Sequence, residues 1–206
     1  MSRPALTHAA VVDCARSLIR AEGVDAVSLR RVARELGVTA PALYAYVRDY
    51  DSLLAEVAAG ELGAMQRQFG AVGGADPISR LRRLGRTYVA HAREEPHLHR
   101  LTFRYPPAAV SGGDGGGFGP ATEAYAAALE PIEQAIAADL LAADDPVLVA
   151  LTLWSAVHGV AEVLLMGLGL PEATADALVV SVVDGILDGL RRRPAEDAGP
   201  RDQVVG

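Results

Sequence analysis

The chain is expected to be all-α: an N-terminal three-helix domain carrying a helix-turn-helix, followed by a larger helical bundle. Three observations lead there. Apolar residues recur at helical spacing through most segments, as in Val11, Val12, Ala15, Leu18 and Ile19. Two starts pair an acid with a proline, Asp76-Pro77 and Asp145-Pro146, where the acid caps the helix and the missing proline N–H costs nothing. The stretch Ser28 to Asp49, SLRRVARELGVTAPALYAYVRD, reads as two short helices joined by a tight turn at Gly37.

The first helix runs from about Thr7 to Glu22 and stops at Gly23; it braces the two that follow. After Ser28, Leu29, Val32, Ala33 and Leu36 fall on one face, with Arg30, Arg31, Arg34 and Glu35 on the other. Ala33 is small enough for a second helix to cross closely, and Gly37 takes the positive φ that ends the piece. Thr39 is expected as a side-chain N-cap, with Pro41 in the first turn of a third helix from about Ala40. In that helix Leu43 and Val47 face inward, while Ala40, Tyr44 and Arg48 form one outward row and Ala42 and Tyr46 another. No acid occurs on it before Asp49, so its exposed face suits a major groove lined by phosphates.

Asp49 caps a fourth helix with Leu53, Leu54, Val57, Ala58, Leu62, Met65 and Phe69, long enough to link the two domains. A break at Gly70 to Ala75 precedes a fifth helix, with Ile78, Leu81, Leu84, Tyr88, Val89 and Ala92, ending at Glu95. Pro96 to Tyr105 reads as a short sixth. Pro106 to Pro120, with six glycines and three prolines, is expected to be a mobile loop. A seventh helix is expected from Ala121 to about Ala143, kinked at Pro131, with Leu129, Ile132, Ile136 and Leu140 inward. An eighth runs from Pro146 to about Gly167. A ninth opens at Pro171, carries Val179, Val182, Val183, Ile186 and Leu187, and ends in Arg191 to Arg193, which suit a helix C-terminus. The expected division is residues 1–50, residues 51–193, and a disordered tail over 194–206.

Charge separates the two domains. The chain has a net charge of −7, yet residues 1–50 hold seven Arg against five acids and residues 51–206 hold twelve against twenty-one. The asymmetry favours a DNA-facing head on a body that phosphates would repel. The one cysteine, Cys14, excludes an internal disulfide and fits a reducing compartment. His8, Asp13 and Arg16 interrupt the apolar residues after Arg3, so no signal peptide is read there and a cytoplasmic location is expected. Val147 to Leu170 is apolar enough to raise a membrane span, but His158, Glu162, several glycines and the lack of a basic loop to orient it argue instead for a dimer interface. In that interface each subunit contributes its last two helices to a four-helix arrangement, with Val182 and Ile186 at the contact.

Other chemistries are weaker. His91, Glu94, Glu95, His97 and His99 are close in sequence, but Pro96 interrupts their helix, and no metal site is expected among them. The chain has no Gly-rich phosphate loop, GxSxG or HExxH, and Ser155 near His158 lacks an evident orienting acid, so no enzyme and no cofactor are expected.

The segment GVTAPALYAYVRDYDSLLAEV resembles the end of the DNA-binding domain of the tetracycline-repressor (TetR) family, through Gly37, Val38, Thr39, Ala40, Leu43, Tyr44, Tyr46, Leu53 and Leu54. The resemblance implies a transcriptional regulator, typically a repressor that binds a pseudo-palindromic DNA operator as a homodimer and is released by a small-molecule effector. It also implies DNA contacts at Ser28, Arg30, Thr39, Ala40, Pro41, Tyr44, Tyr46 and Tyr50, with Tyr50 departing from a frequent Lys. Trp154, His158 and Gly159 resemble the Trp-His-Gly signature of one class of regulatory domains in that family. A family-like pocket among helices four to eight could draw on Tyr88, His91, Phe103, Tyr125, Trp154 and His158. The absence of Lys and scarcity of candidate buried Arg point to a neutral or weakly polar effector. The alternative is a constitutive DNA-binding protein without ligand control.

Overall fold

The computed structural model describes residues 6–74, 76–105 and 121–191, with the side chains of 121–126 outside the description. The expected loop at 106–120, the tail at 194–206 and the Tyr125 side chain therefore lie outside the described residues. Among those described there are nine α-helices and no strand: α1 His8–Glu22, α2 Leu29–Leu36, α3 Ala40–Leu43, α4 Tyr50–Gly70, α5 Pro77–Glu94, α6 Pro96–Arg104, α7 Ala121–Ala137, α8 Pro146–Leu165 and α9 Glu172–Gly189.

Local chemistry sets most of the boundaries. The Thr7 hydroxyl accepts from Ala10 N and Ser28 from Arg31 N, opening α1 and α2. Asp49 and Ser52 form a reciprocal capping box at the start of α4. Asp76 and Asp145 cap α5 and α8, each followed by its proline. Gly37, at φ 62° and ψ 37°, closes α2: its N–H reaches Arg34 O, and Val38 N reaches Ala33 O.

Three details depart from the sequence reading. Thr39 sits at the α3 cap position but makes no side-chain capping bond. The segment after it mixes bond types: Ala42 N bonds Thr39 O, Tyr44 N bonds Pro41 O and Tyr46 N bonds Leu43 O, three residues back, while Val47 N bonds Leu43 O, four back. Tyr46, three residues beyond buried Leu43, packs partly against the core while remaining partly exposed, rather than lying wholly on the outward face. The third departure is α7, which ends at Ala137 rather than near Ala143. Asp139 takes φ 58°, and the resulting turn buries Leu141 (2% exposed) in place of Leu140 (42%).

Two hydrophobic cores form. The first joins Val11, Ala15, Ile19, Val32, Ala33, Leu43 and Val47 with Leu53, Leu54, Val57 and Ala58 of α4 and Leu98 and Leu101 of α6. The second joins Leu62, Met65 and Phe69 of α4 to α5, α7, α8 and α9. Helix α4 thus supplies its first half to one core and its second half to the other. Apolar packing extends well beyond Tyr50, where the head was expected to end. Each fully buried Leu or Val contributes about 1.5–3 kcal/mol, so neither half of α4 is detachable at low cost.

In the larger core, α5 crosses α8 and α9 at Gly85, where an added Cβ would meet Val183 at 2.9 Å and Val157 at 3.3 Å. Val182 and Ile186, expected at a dimer contact, are half-buried against this same core. Helix α8 is long and apolar enough by length and hydropathy to cross a membrane. It packs on α5, α7 and α9.

Candidate DNA-binding face and ring-lined site

The helix-turn-helix presents a face made by α2 and the turn-rich segment after Gly37. Arg30 and Arg34 lie one turn apart on the exposed side of α2, and neither has an ion-pair partner among the described residues. The other described head arginines are engaged: Arg16 with Glu61, Arg20 with Glu95, Arg31 with Glu22 and Arg48 with Asp49. Tyr44 is 59% exposed, and Thr39 and Pro41 are exposed beside it. Because Thr39 spends nothing on capping, its hydroxyl is available. Ser28 is exposed and accepts from Arg31 N, which leaves its proton free to donate. Ala40 and Tyr46 are partly buried against the head core.

Tyr50 differs from its neighbours. Its hydroxyl lies 2.9 Å from Val27 O and 3.2 Å from Val24 O, tying the start of α4 to the α1–α2 connection. Burial pushes the phenol above its ordinary pKa. A phenol has one proton to donate, and here it is directed toward these two carbonyls.

A second cluster lies in the body. Tyr88, which is buried, shares a 2.9 Å hydrogen bond with His158 Nδ1. His158 stacks on Trp154, one turn earlier on α8, with ring centroids 5.5 Å apart and planes 15° from parallel. Phe103 of α6 packs against His158 at 4.6 Å and Trp154 at 6.4 Å. Trp154 and Phe103 remain partly open, at 41% and 40% exposure. Four of the six expected pocket residues therefore meet around one apolar, aromatic wall. His91 does not join them; it turns toward Glu61. Near Gly70, a separate cleft of about 460 Å³ between the α4–α5 connection and α7 is lined by Arg80, Glu130 and Gln134 and shares no residue with the ring cluster.

The five acids and histidines that are close in sequence disperse. His91 faces Glu61, Glu95 receives both Nε and Nη2 of Arg20 at 2.7 Å, and His97 packs on Gly23. His99 alone enters the ring cluster, 5.0 Å from Phe103 and 5.8 Å from His158. Burial, then the neighbouring His158, lowers its pKa to about 4.

Comparison with known proteins gives this arrangement a family. Residues 11–57 match the family described as bacterial regulatory proteins, tetR family, and residues 81–186 match the tetracyclin repressor-like C-terminal domain. The second match alone spans just over half of the chain. The chain belongs to the tetracycline-repressor family. Among solved structures, a protein of unknown function from Rhodococcus sp. RHA1 superposes with a TM-score of 0.73 at 24% identity, covering 93% of this chain and 100% of that one. The TetR family transcriptional regulator PfmR from Thermus thermophilus gives 0.63 at 17%, covering 88% and 99%. The flavonoid-responsive regulator FrrA gives 0.56 at 22%, covering 91% and 98%. At these identities the superpositions speak for the fold. Comparison with curated protein sequences yields no match.

As a TetR-family member the chain is a DNA-binding transcriptional regulator and not an enzyme. In this regulator the head and body meet at Glu61, midway along α4 and 1% exposed. Arg16 of α1 donates to its Oε2 from Nη2 at 2.8 Å and from Nε at 3.3 Å, and His91 Nε2 of α5 stands 3.1 Å from Oε1. Burial pushes the carboxyl up, but the opposing contacts with His91 and Arg16 outweigh it and hold the pKa below its ordinary value. Sequence reading missed Glu61, because an acid among the apolar positions of a helix carries no sign of its partners 45 residues before it and 30 after it. Glu162 could have been noticed, since it lies one turn beyond His158.

Proposed function

We propose that this protein is a homodimeric repressor whose operator binding is relieved when a small, largely apolar effector docks against Tyr88, Phe103, Trp154 and His158. The observation that carries this reading is the sharing of α4 between both cores, with Glu61 gripped from each side. A shift of α5 or α8 on ligand binding would move α4 and, through it, the spacing of the two heads. The ligand needs only a differential affinity of a few kcal/mol for the released arrangement.

On DNA, Tyr44, Thr39 and Ser28 serve phosphates, joined by Arg34, while Arg30, Ala40 and Tyr46 lie nearer base edges and Pro41 lines the approach. Dimerisation is supported by the outer surface of the last two helices. Leu148, Thr152, Ser155, Gly159, Val163 and Met166 of α8 are exposed and carry no charge, and Ala177, Ser181 and Gly185 continue such a surface on α9. An added Cβ at Gly159 or Gly185 would meet nothing within 4 Å, which leaves room for close approach by another helix. The body is of the Trp-His-Gly type, on Trp154, His158 and Gly159, and the protein works in the cytoplasm, where the DNA is.

A thermal-shift screen of metabolites and antibiotics tests the effector reading. A ligand at 100 times its Kd stabilises the native state by about 2.7 kcal/mol. The expected hit raises Tm and releases operator, and Trp154→Ala and His158→Ala keep operator affinity while losing the response. Operator binding insensitive to every ligand that raises Tm would favour the constitutive reading.

A further inference from the structure

Three donor groups that are dispersed in the sequence converge beside the ring cluster. His99 lies on α6, and His158 and Glu162 lie one turn apart on α8. One ligand atom from each falls within 4.8 Å of the other two. His99 is 2% exposed and its Nε2 has no hydrogen-bond partner. Its nearest acid, Oε1 of Glu162, stands 3.6 Å away, beyond hydrogen-bond reach. A buried nitrogen left in that condition costs about 1–3 kcal/mol, which a leucine of similar volume would avoid.

We propose that His99, His158 and Glu162 form a binding site for a divalent transition-metal cation of the zinc class. Tetrahedral ligands about 2.0–2.1 Å from such an ion stand about 3.4 Å from one another, close to the separation already present between His99 and Glu162. Glu162, whose side chain is 41% exposed, is the ligand with the most room to adjust. Two imidazoles and one carboxylate favour zinc, cobalt, nickel or iron(II) over magnesium or calcium, which take all-oxygen sets. Tyr88 engages Nδ1 of His158, so the ring is oriented by an outer partner and Nε2 is the nitrogen left for the ion. The two helices are already tied together by Arg100 Nη2, which donates to Leu165 O at 2.9 Å, so the ion would bridge a pre-set pair. Three protein donors leave at least one coordination position open. The site stands on its donor set and does not depend on the effector reading.

The chain has a single tryptophan, Trp154, and its ring stacks on that of His158, which provides an internal reporter. The protein, stripped with chelator, is titrated with Co²⁺ while tryptophan fluorescence and visible absorption are followed. The expected result is saturation at one ion per chain, with quenched fluorescence and a ligand-field band in the visible. Glu162→Gln should weaken the affinity about tenfold or more and His99→Ala should abolish saturation, each variant being verified as folded by circular dichroism. His8→Ala serves as the control, because His8 and Glu56 form an exposed 2.7 Å pair that could capture an ion at the surface. Unchanged fluorescence on titration, equal affinity in wild type and Glu162→Gln, or loss of binding in His8→Ala would each overturn the assignment.

Discussion

Arg16 of α1 and Glu61 of α4 meet at 2.8 Å with the carboxylate almost wholly buried, so the head is fastened to the linking helix by a charged contact rather than by packing alone. Removing the arginine leaves Glu61 with His91 as its remaining partner. Arg16→Ala should lower unfolding stability by about 1–3 kcal/mol, and a cycle with Glu61→Gln should give a coupling energy of about 0.5–3 kcal/mol. Additive single variants in urea titrations would show that the contact contributes nothing. The pH dependence follows from the sign of the shift. Glu61 is held below its ordinary pKa of 4.5, so its contribution is fully present above that value and is lost as pH falls through the lower folded pKa. Acid unfolding should therefore be shallower for Glu61→Gln than for wild type.

The DNA face predicts two kinds of loss. Tyr44→Ala and Arg34→Ala should weaken binding to all duplexes, and Arg34→Ala should also reduce the slope of log affinity against log salt by about one. Arg30→Ala and Tyr46→Ala should blur discrimination between operator variants by about 1–3 kcal/mol. Tyr46→Ala should in addition destabilise the head, because its ring packs on the core. Fluorescence anisotropy at several salt concentrations separates these outcomes.

Tyr50→Phe distinguishes a brace from a phosphate contact. Loss of the hydroxyl that reaches Val24 O and Val27 O should cost about 1 kcal/mol of stability and leave the salt slope of DNA binding unchanged. A slope reduced by about one would place Tyr50 on the DNA.

For assembly, Gly159→Arg and Val163→Asp place a charge on the exposed face of α8 and should give folded monomers in light scattering. Val182→Asp should instead unfold the body, since that side chain already packs in its own subunit. Gly159→Arg remaining dimeric would move the interface elsewhere.

The helix starts were legible because their causes are local: Thr7, Ser28, Asp49, Asp76 and Asp145 each cap a helix that begins within two residues. The Gly37 turn was legible for the same reason, and with it the helix-turn-helix. The mixed hydrogen bonding after Thr39 and a positive φ at a non-glycine residue, Asp139, were not. Periodicity assumes 3.6 residues per turn, so it put Tyr46 outside and chose Leu140 over Leu141. The body site was half legible. Trp154 and His158 share a helix face, whereas His91 and His99 lie on opposite sides of the Pro96 break, and nothing local distinguishes the one that meets Glu61 from the one that meets His158.

Two heads on a dimeric body are expected to read an inverted repeat through the segment from Thr39 to Tyr46. Selection of the purified protein against a random duplex library tests it directly. The two recognition elements of a dimer should sit about 34–36 Å apart on DNA, so the enriched sequences should be pseudo-palindromes with half-site centres about one helical turn apart, or a multiple of that spacing. Tyr44→Ala should abolish the enrichment. Recovery of a single asymmetric half-site, or no enrichment by wild-type protein, would contradict the account.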